Sequence, residues 1–121
     1  EVFADRLRVL GPDHPDTLNT RANLAYRRGE AGYPAAAVAA FEEVFADRLR
    51  VLGPDHPDTL NTRANLAYRR GEAGCPAAAV AAFEEVFADR LRVLGPDHAD
   101  TLTARANLAY WQMQLSNGTS A

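Results

Sequence analysis

The chain has 121 residues, is 47% apolar and 24% charged, and carries a net charge of −3. It has no run of about 18 apolar residues to span a membrane, no excess of positive charge to draw nucleic acid, and no signal-peptide core in its opening EVFADRLRVL. Cys75 is the single cysteine, so no internal disulfide can form, and a reducing, cytoplasmic setting with neither membrane nor nucleic-acid partners is expected.

The predicted elements come from a repeat. Residues 1–42 and 43–84 agree at 41 of 42 positions, the exception being Tyr33 against Cys75. A third copy starts at Glu85 and holds through Tyr110, with Ala99, Thr103 and Ala104 as its changes, and it stops at Trp111. Such self-similarity marks an array whose units bury their apolar sides on one another. Residues 1–10 read as the back half of a helix. A first-type helix follows near 15–31, with Asp13 as the expected N-cap and Asp16 in its first turn. Leu18, Ala22, Leu24 and Ala25 form its expected buried side. The second-type helix spans 34–52, opened by Pro34 and closed by Gly53 and Pro54. Its apolar stripe is Val38, Phe41, Phe45, Leu49 and Leu52, widened by Ala37, Val44 and Val51. The same pair recurs near 57–73 and 76–94, and a terminal first-type helix is expected near 99–115. Residues 1–115 form one array, 116–121 read as a disordered tail, and no segment carries a strand signal.

These residues resemble a known family. Leu24-Ala25, then Gly32, then Ala37-x-x-x-Phe41 resembles the tetratricopeptide repeat. The 42-residue period and the LGPDHPDT loop are similar to the kinesin light chain type and to the repeats of bacterial NB-ARC signalling proteins. The chain departs from the family pattern at Arg21, Ala25 and Arg28. HEAT or armadillo repeats have comparable periods but match the Gly and Ala-x-x-x-Phe spacing less well. The resemblance implies an all-α fold, an α-solenoid of antiparallel helix pairs wound as a right-handed superhelix. It also implies a concave surface, lined by the first helix of each unit, that binds a protein or peptide partner without catalysis.

By register, Asn19, Asn23, Tyr26 and Glu30 map to that surface, with Asn61, Asn65, Tyr68, Glu72, Asn107 and Tyr110 as their copies. An Asn side chain offers one acceptor and two donors to an extended backbone. The alternative reading has these Asn side chains cap or bridge neighbouring helices. His14, His56 and His98 recur once per unit, too far apart to share one metal ion, and read as loop residues near helix starts. Arg21, Arg63 and Arg105 fit an interhelical ion-pair ladder to Asp16, Glu42, Glu43 or their copies. Arg27-Arg28 and Arg69-Arg70 read as a solvated face. Cys75 reads as a thiol without a role in the fold. No nucleophile elbow, phosphate loop or metal spacing is present, so neither an enzyme nor a cofactor is expected.

Two functions remain open. One is partner binding in the groove. The other is a spacer array that stacks head to tail through its uncovered ends, Val2, Phe3 and Leu7 at one and Leu102, Leu108 and Trp111 at the other.

Overall fold

A computed structural model describes residues 10–120. Among these residues the chain is five helices with no strand: α1 (Pro15–Glu30), α2 (Pro34–Leu52), α3 (Pro57–Glu72), α4 (Pro76–Leu94) and α5 (Ala99–Ser120). The half helix expected over residues 1–10 lies outside the described residues except for Leu10, and with it lie Val2, Phe3 and Leu7.

Punctuation sets the first four helices. Each opens on a proline at its first turn, where the missing N–H is no loss. The turn out of α1 passes through Gly32 at φ 94°, and that out of α3 through Gly74 at φ 102°. A β-carbon is disfavoured in such left-handed backbone. In α5 the register partners of Gly74 and Pro76 are Ser116 and Gly118. The turn signal is therefore gone, and the helix runs on to Ser120 where a disordered tail was expected from 116.

The N-caps correct the sequence reading. His14 and His56, not the preceding aspartates, occupy the cap position, and each accepts at Nδ1 the backbone N–H two residues on, at 3.1 and 3.0 Å. His98 does the same for Asp100 at 3.0 Å. The aspartates are used elsewhere. Asp13 takes a two-pronged hydrogen bond from Arg50, at 2.8 and 3.1 Å, and Asp55 takes one from Arg92, at 2.7 and 3.2 Å. Each loop is thereby clasped to the far end of its unit's second helix.

Each helix packs on the next in sequence. In addition α1, α3 and α5 approach one another in order, whereas α2 and α4 do not. A stack whose neighbours meet on one side curves toward that side. The chain is thus an all-α solenoid with α1, α3 and α5 along its inner face.

The core lies between these layers in two clusters. One holds Ala25, Ala37, Phe41 and Leu66, and the other holds Ala67, Ala79, Phe83, Val86, Ala104 and Trp111. The buried line of α2 is Ala37, Phe41, Val44 and Arg48, which keeps Phe41 of the expected stripe and the Ala37 and Val44 that widen it, and adds Arg48. Phe45 and Val38 flank it, and Leu49 and Val51 are about 40% exposed. The helix is wedged between two first-type helices, so the line that meets both is buried. Leu24 is likewise exposed, whereas its copy Leu66 is buried against the Phe41 cluster of the preceding pair.

Gly29 and Gly71 are buried inside their helices, under a side chain from the next inner helix. A Cβ on Gly29 would run into the guanidinium of Arg69, and one on Gly71 would stand 2.5–2.6 Å from the indole of Trp111. Trp111 occupies the register of Arg69, so one seat is used at both junctions.

Truncating Phe41 or Phe83 to Ala should cost about 3–5 kcal/mol, read from denaturant unfolding. Gly71→Ala should destabilise more than Gly29→Ala in the same assay, because a rigid indole cannot yield as an arginine stem can. Equal effects would show that the two seats are not packed as described.

Candidate functional site: the inner face of the array

The inner face is built from residues that α1, α3 and α5 turn away from the core. It carries two adjoining hollows. The first, of about 430 Å³, brings Asn19, Asn23 and Tyr26 of α1 together with Asn61 and Asn65 of α3, with Phe41 and Arg48 of α2 also in its wall. The second, of about 320 Å³, joins Tyr26, Glu30, Asn61, Asn65 and Tyr68 to Asn107 of α5, and Arg90 of α4 lies in its wall. Tyr26, Asn61 and Asn65 belong to both, so the hollows form one track. Of the residues that register assigns to the groove, Glu72 and Tyr110 line neither hollow, though Tyr110 is exposed. Among the described residues no Asn of this set bridges two helices; Asn65 donates from Nδ2 to the carbonyl of Asn61 within its own helix, at 3.2 Å.

Arginines organise the walls, and the sequence reading placed them only in part. Arg69, read as solvated, is buried over Gly29. It donates to Glu30 at 2.6 Å and to Glu72 at 2.5 Å, and its Cζ lies 5.2 Å from the ring centre of Tyr26 and 5.6 Å from that of Tyr68. Two carboxylates and two aromatic faces compensate its desolvation. Its neighbour Arg70 pairs with Glu42 at 3.0 Å, while Arg27 and Arg28 are exposed. Burial of Tyr68, helped by the carboxylate of Glu72, pushes its phenol above the ordinary value.

The ladder arginines pair mainly with an acid that was not foreseen. Arg21 meets Asp47 at 2.7 Å, and Arg63 meets Asp89 at 3.0 Å, with Glu85, a copy of Glu43, farther away at 3.8 Å.

Arg48 and Arg90 went unnoticed, since an arginine inside an apolar stripe carries no sequence signal of burial. Both are about 95% buried. Arg48 donates to Thr62 Oγ1 at 2.8 Å, its Nε has no partner, and among the described residues it makes no ion pair. In the third copy Thr62 becomes Ala104, and among the described residues the guanidinium of Arg90 donates only to the carbonyl of Asp100, at 3.3 Å. Burial draws the pKa of both guanidinium groups down. Two under-compensated cations therefore stand in the walls of the two hollows.

At the far end, Trp111 is buried, not an open end as expected. Tyr68 and Tyr110 meet its ring edge-on at 5.6 and 4.9 Å, and its Nε1 is buried without a partner. Leu108 is half-buried against the same cluster, whereas Leu102 is exposed.

Comparison with known proteins agrees with this architecture. The tetratricopeptide repeat family profile matches residues 17–58 and 59–100, so the chain belongs to that family. Two crystal structures of nearly identical TPR-like repeats, from a Podosopora anserina protein of the kinesin light chain type, superpose on it. A single-substitution form gives a TM-score of 0.85 at 29% identity, covering 97% of this chain and 54% of that one. The second gives 0.76 at 28% identity, covering 98% and 55%. The chain thus spans about half the length of these relatives. No curated protein matches by sequence. The family's repeats generally serve as non-catalytic protein-interaction modules, and no helix among the described residues is long and apolar enough to cross a membrane.

Two predictions follow from the caps and clasps. His56→Ala should cost about 1 kcal/mol, whereas His56→Asn, which keeps an acceptor at the cap, should cost only a few tenths; urea unfolding separates them. The clasping hydrogen bonds from Arg50 and Arg92 hold the carboxyl pKa values of Asp13 and Asp55 below the usual one. A depressed folded pKa gives stability that is present above about pH 4 and lost as pH falls through the folded values. Unfolding midpoints of Arg50→Gln/Arg92→Gln should therefore converge on those of the parent in acid and fall below them near neutral pH.

Proposed function

We propose that the chain is a scaffold module that binds an extended segment of a protein partner along the inner face. The observation that carries this reading is the continuous track in which Asn19, Asn23, Asn61, Asn65 and Asn107 alternate with Tyr26 and Tyr68 across three helices. Amide side chains can pair with a main chain of any sequence, and tyrosines add rigid contact area. Arg48 and Arg90 bias the track toward segments that carry carboxylates, because a buried cation with few acceptors gains most from an anion. Binding would take place in reducing, cytoplasmic surroundings, without a cofactor and without chemistry on the ligand.

The rival reading, a spacer array that stacks end to end, draws support from the exposed Leu102 but not from the buried Trp111.

The test uses two fluorescein-labelled decapeptide libraries, one rich in Glu and the other with Gln in its place, read by fluorescence anisotropy. Asn23→Ala/Asn65→Ala/Asn107→Ala should weaken capture at least about tenfold with the melting curve unchanged. Arg90→Gln should reduce the preference for Glu over Gln, and Arg48→Gln/Arg90→Gln should erase it. Capture by the triple variant equal to that of the parent chain would place binding elsewhere.

A further inference from the structure

A second surface, away from the groove, becomes visible when the three first-type helices are compared position by position. In α1 and α3 the face turned to the following helix is Leu18 and Ala25, then Leu60 and Ala67, and all four are buried. What covers it is α2 or α4. The cover is locked by two charge contacts per unit. Arg21 and Arg63 take Asp47 and Asp89, while Asp13 and Asp55 take Arg50 and Arg92. The covering helix thus presents an aspartate and an arginine three residues apart.

Helix α5 retains every part of this receptor. Leu102 and Ala109 stand at the Leu18 and Ala25 positions, Arg105 at that of Arg21, and Asp97 in the loop at that of Asp13. All four are exposed, and among the described residues neither charge has an ion-pair partner. The seat for a further first-type helix is lost, however. Gly29 and Gly71 become Met113, which is 62% exposed, and Glu30 and Glu72 become Gln114. A methionine side chain stands where the next unit's arginine or indole would lie. The carboxylate that holds such an arginine, as Glu30 holds Arg69, is gone as well.

We propose that this face of α5 docks one amphipathic helix of the α2/α4 kind and excludes a complete further unit. The partner's chemistry is set by the receptor. It carries small and aromatic apolar residues in the Ala-x-x-x-Phe-x-x-Val pattern and, beyond them, Asp-x-x-Arg. Its aspartate pairs with Arg105 and its arginine with Asp97. A second copy of this chain is a poor occupant, because its own first inner helix would have to sit on Met113.

The probe is a labelled synthetic peptide with the sequence of residues 76–94, titrated into the full chain to millimolar concentration. The chain's mass is followed by light scattering in a parallel concentration series under reducing conditions. Saturable 1:1 binding is expected, with a chain mass that stays constant. Leu102→Glu should abolish the binding. Arg105→Glu should weaken it about fivefold, the upper range for an exposed ion pair, and a peptide carrying Asp89→Arg should restore it on that variant. No saturation at millimolar peptide, or binding indifferent to Leu102→Glu and Arg105→Glu, overturns the proposal. A chain mass that rises with concentration, and does so less in Leu102→Glu, also overturns it and makes a second copy the occupant.

Discussion

The close approach of successive inner helices over a glycine is the contact on which the rest of the array depends. Gly29 lies under Arg69, and Gly71 lies under Trp111. Because no β-carbon intervenes, α1, α3 and α5 come together on one side while α2 and α4 stay apart. The array bends toward its inner face, and the Asn and Tyr side chains of neighbouring units are brought into shared hollows. With bulky residues at both seats the inner helices would be pushed apart and those hollows would open.

The same seat explains why a charged and an aromatic residue can alternate at one position. An arginine there is tolerable because Glu30, Glu72, Tyr26 and Tyr68 all meet it. A tryptophan fills the same space without a counter-charge, at the expense of an unpaired Nε1. Around this seat the unit is tied twice, internally by the aspartate–arginine clasps and externally by bonds such as Thr59 Oγ1 to the Arg48 carbonyl at 3.3 Å. Stability in such an array is the sum of intrinsic and interface terms. Identical units therefore differ only through what their neighbours supply, as Leu24 and Leu66 show by their unequal burial.

Much of the fold was legible in the sequence. Prolines and glycines are local signals, governed by φ and by the missing N–H, so they act without knowledge of partners. The repeat period gave the pairing of helices, because a recurring unit can only recur by stacking on itself. Register alone also put the Asn and Tyr positions on the inner face. The Asn and Tyr positions share one helix face, and shared hollows are where the structure puts all of them but Tyr110.

What only the tertiary structure decided has a common physical cause, the choice of partner across space. Asp13 could cap a helix or clasp a distant arginine, and the arrival of Arg50 made it a clasp and left the cap to His14. Arg48 and Arg69 look like surface residues until a neighbouring unit closes over them. Gly71 and Met113 share a register position, yet one is a seat and the other an obstruction, a difference with no meaning until the next helix is placed. Sequence by itself determined the elements, their order and their repetition, because those follow from local backbone chemistry and apolar period. Which polar group meets which, and which face remains open, depend on distances between units and were settled only when the units were packed.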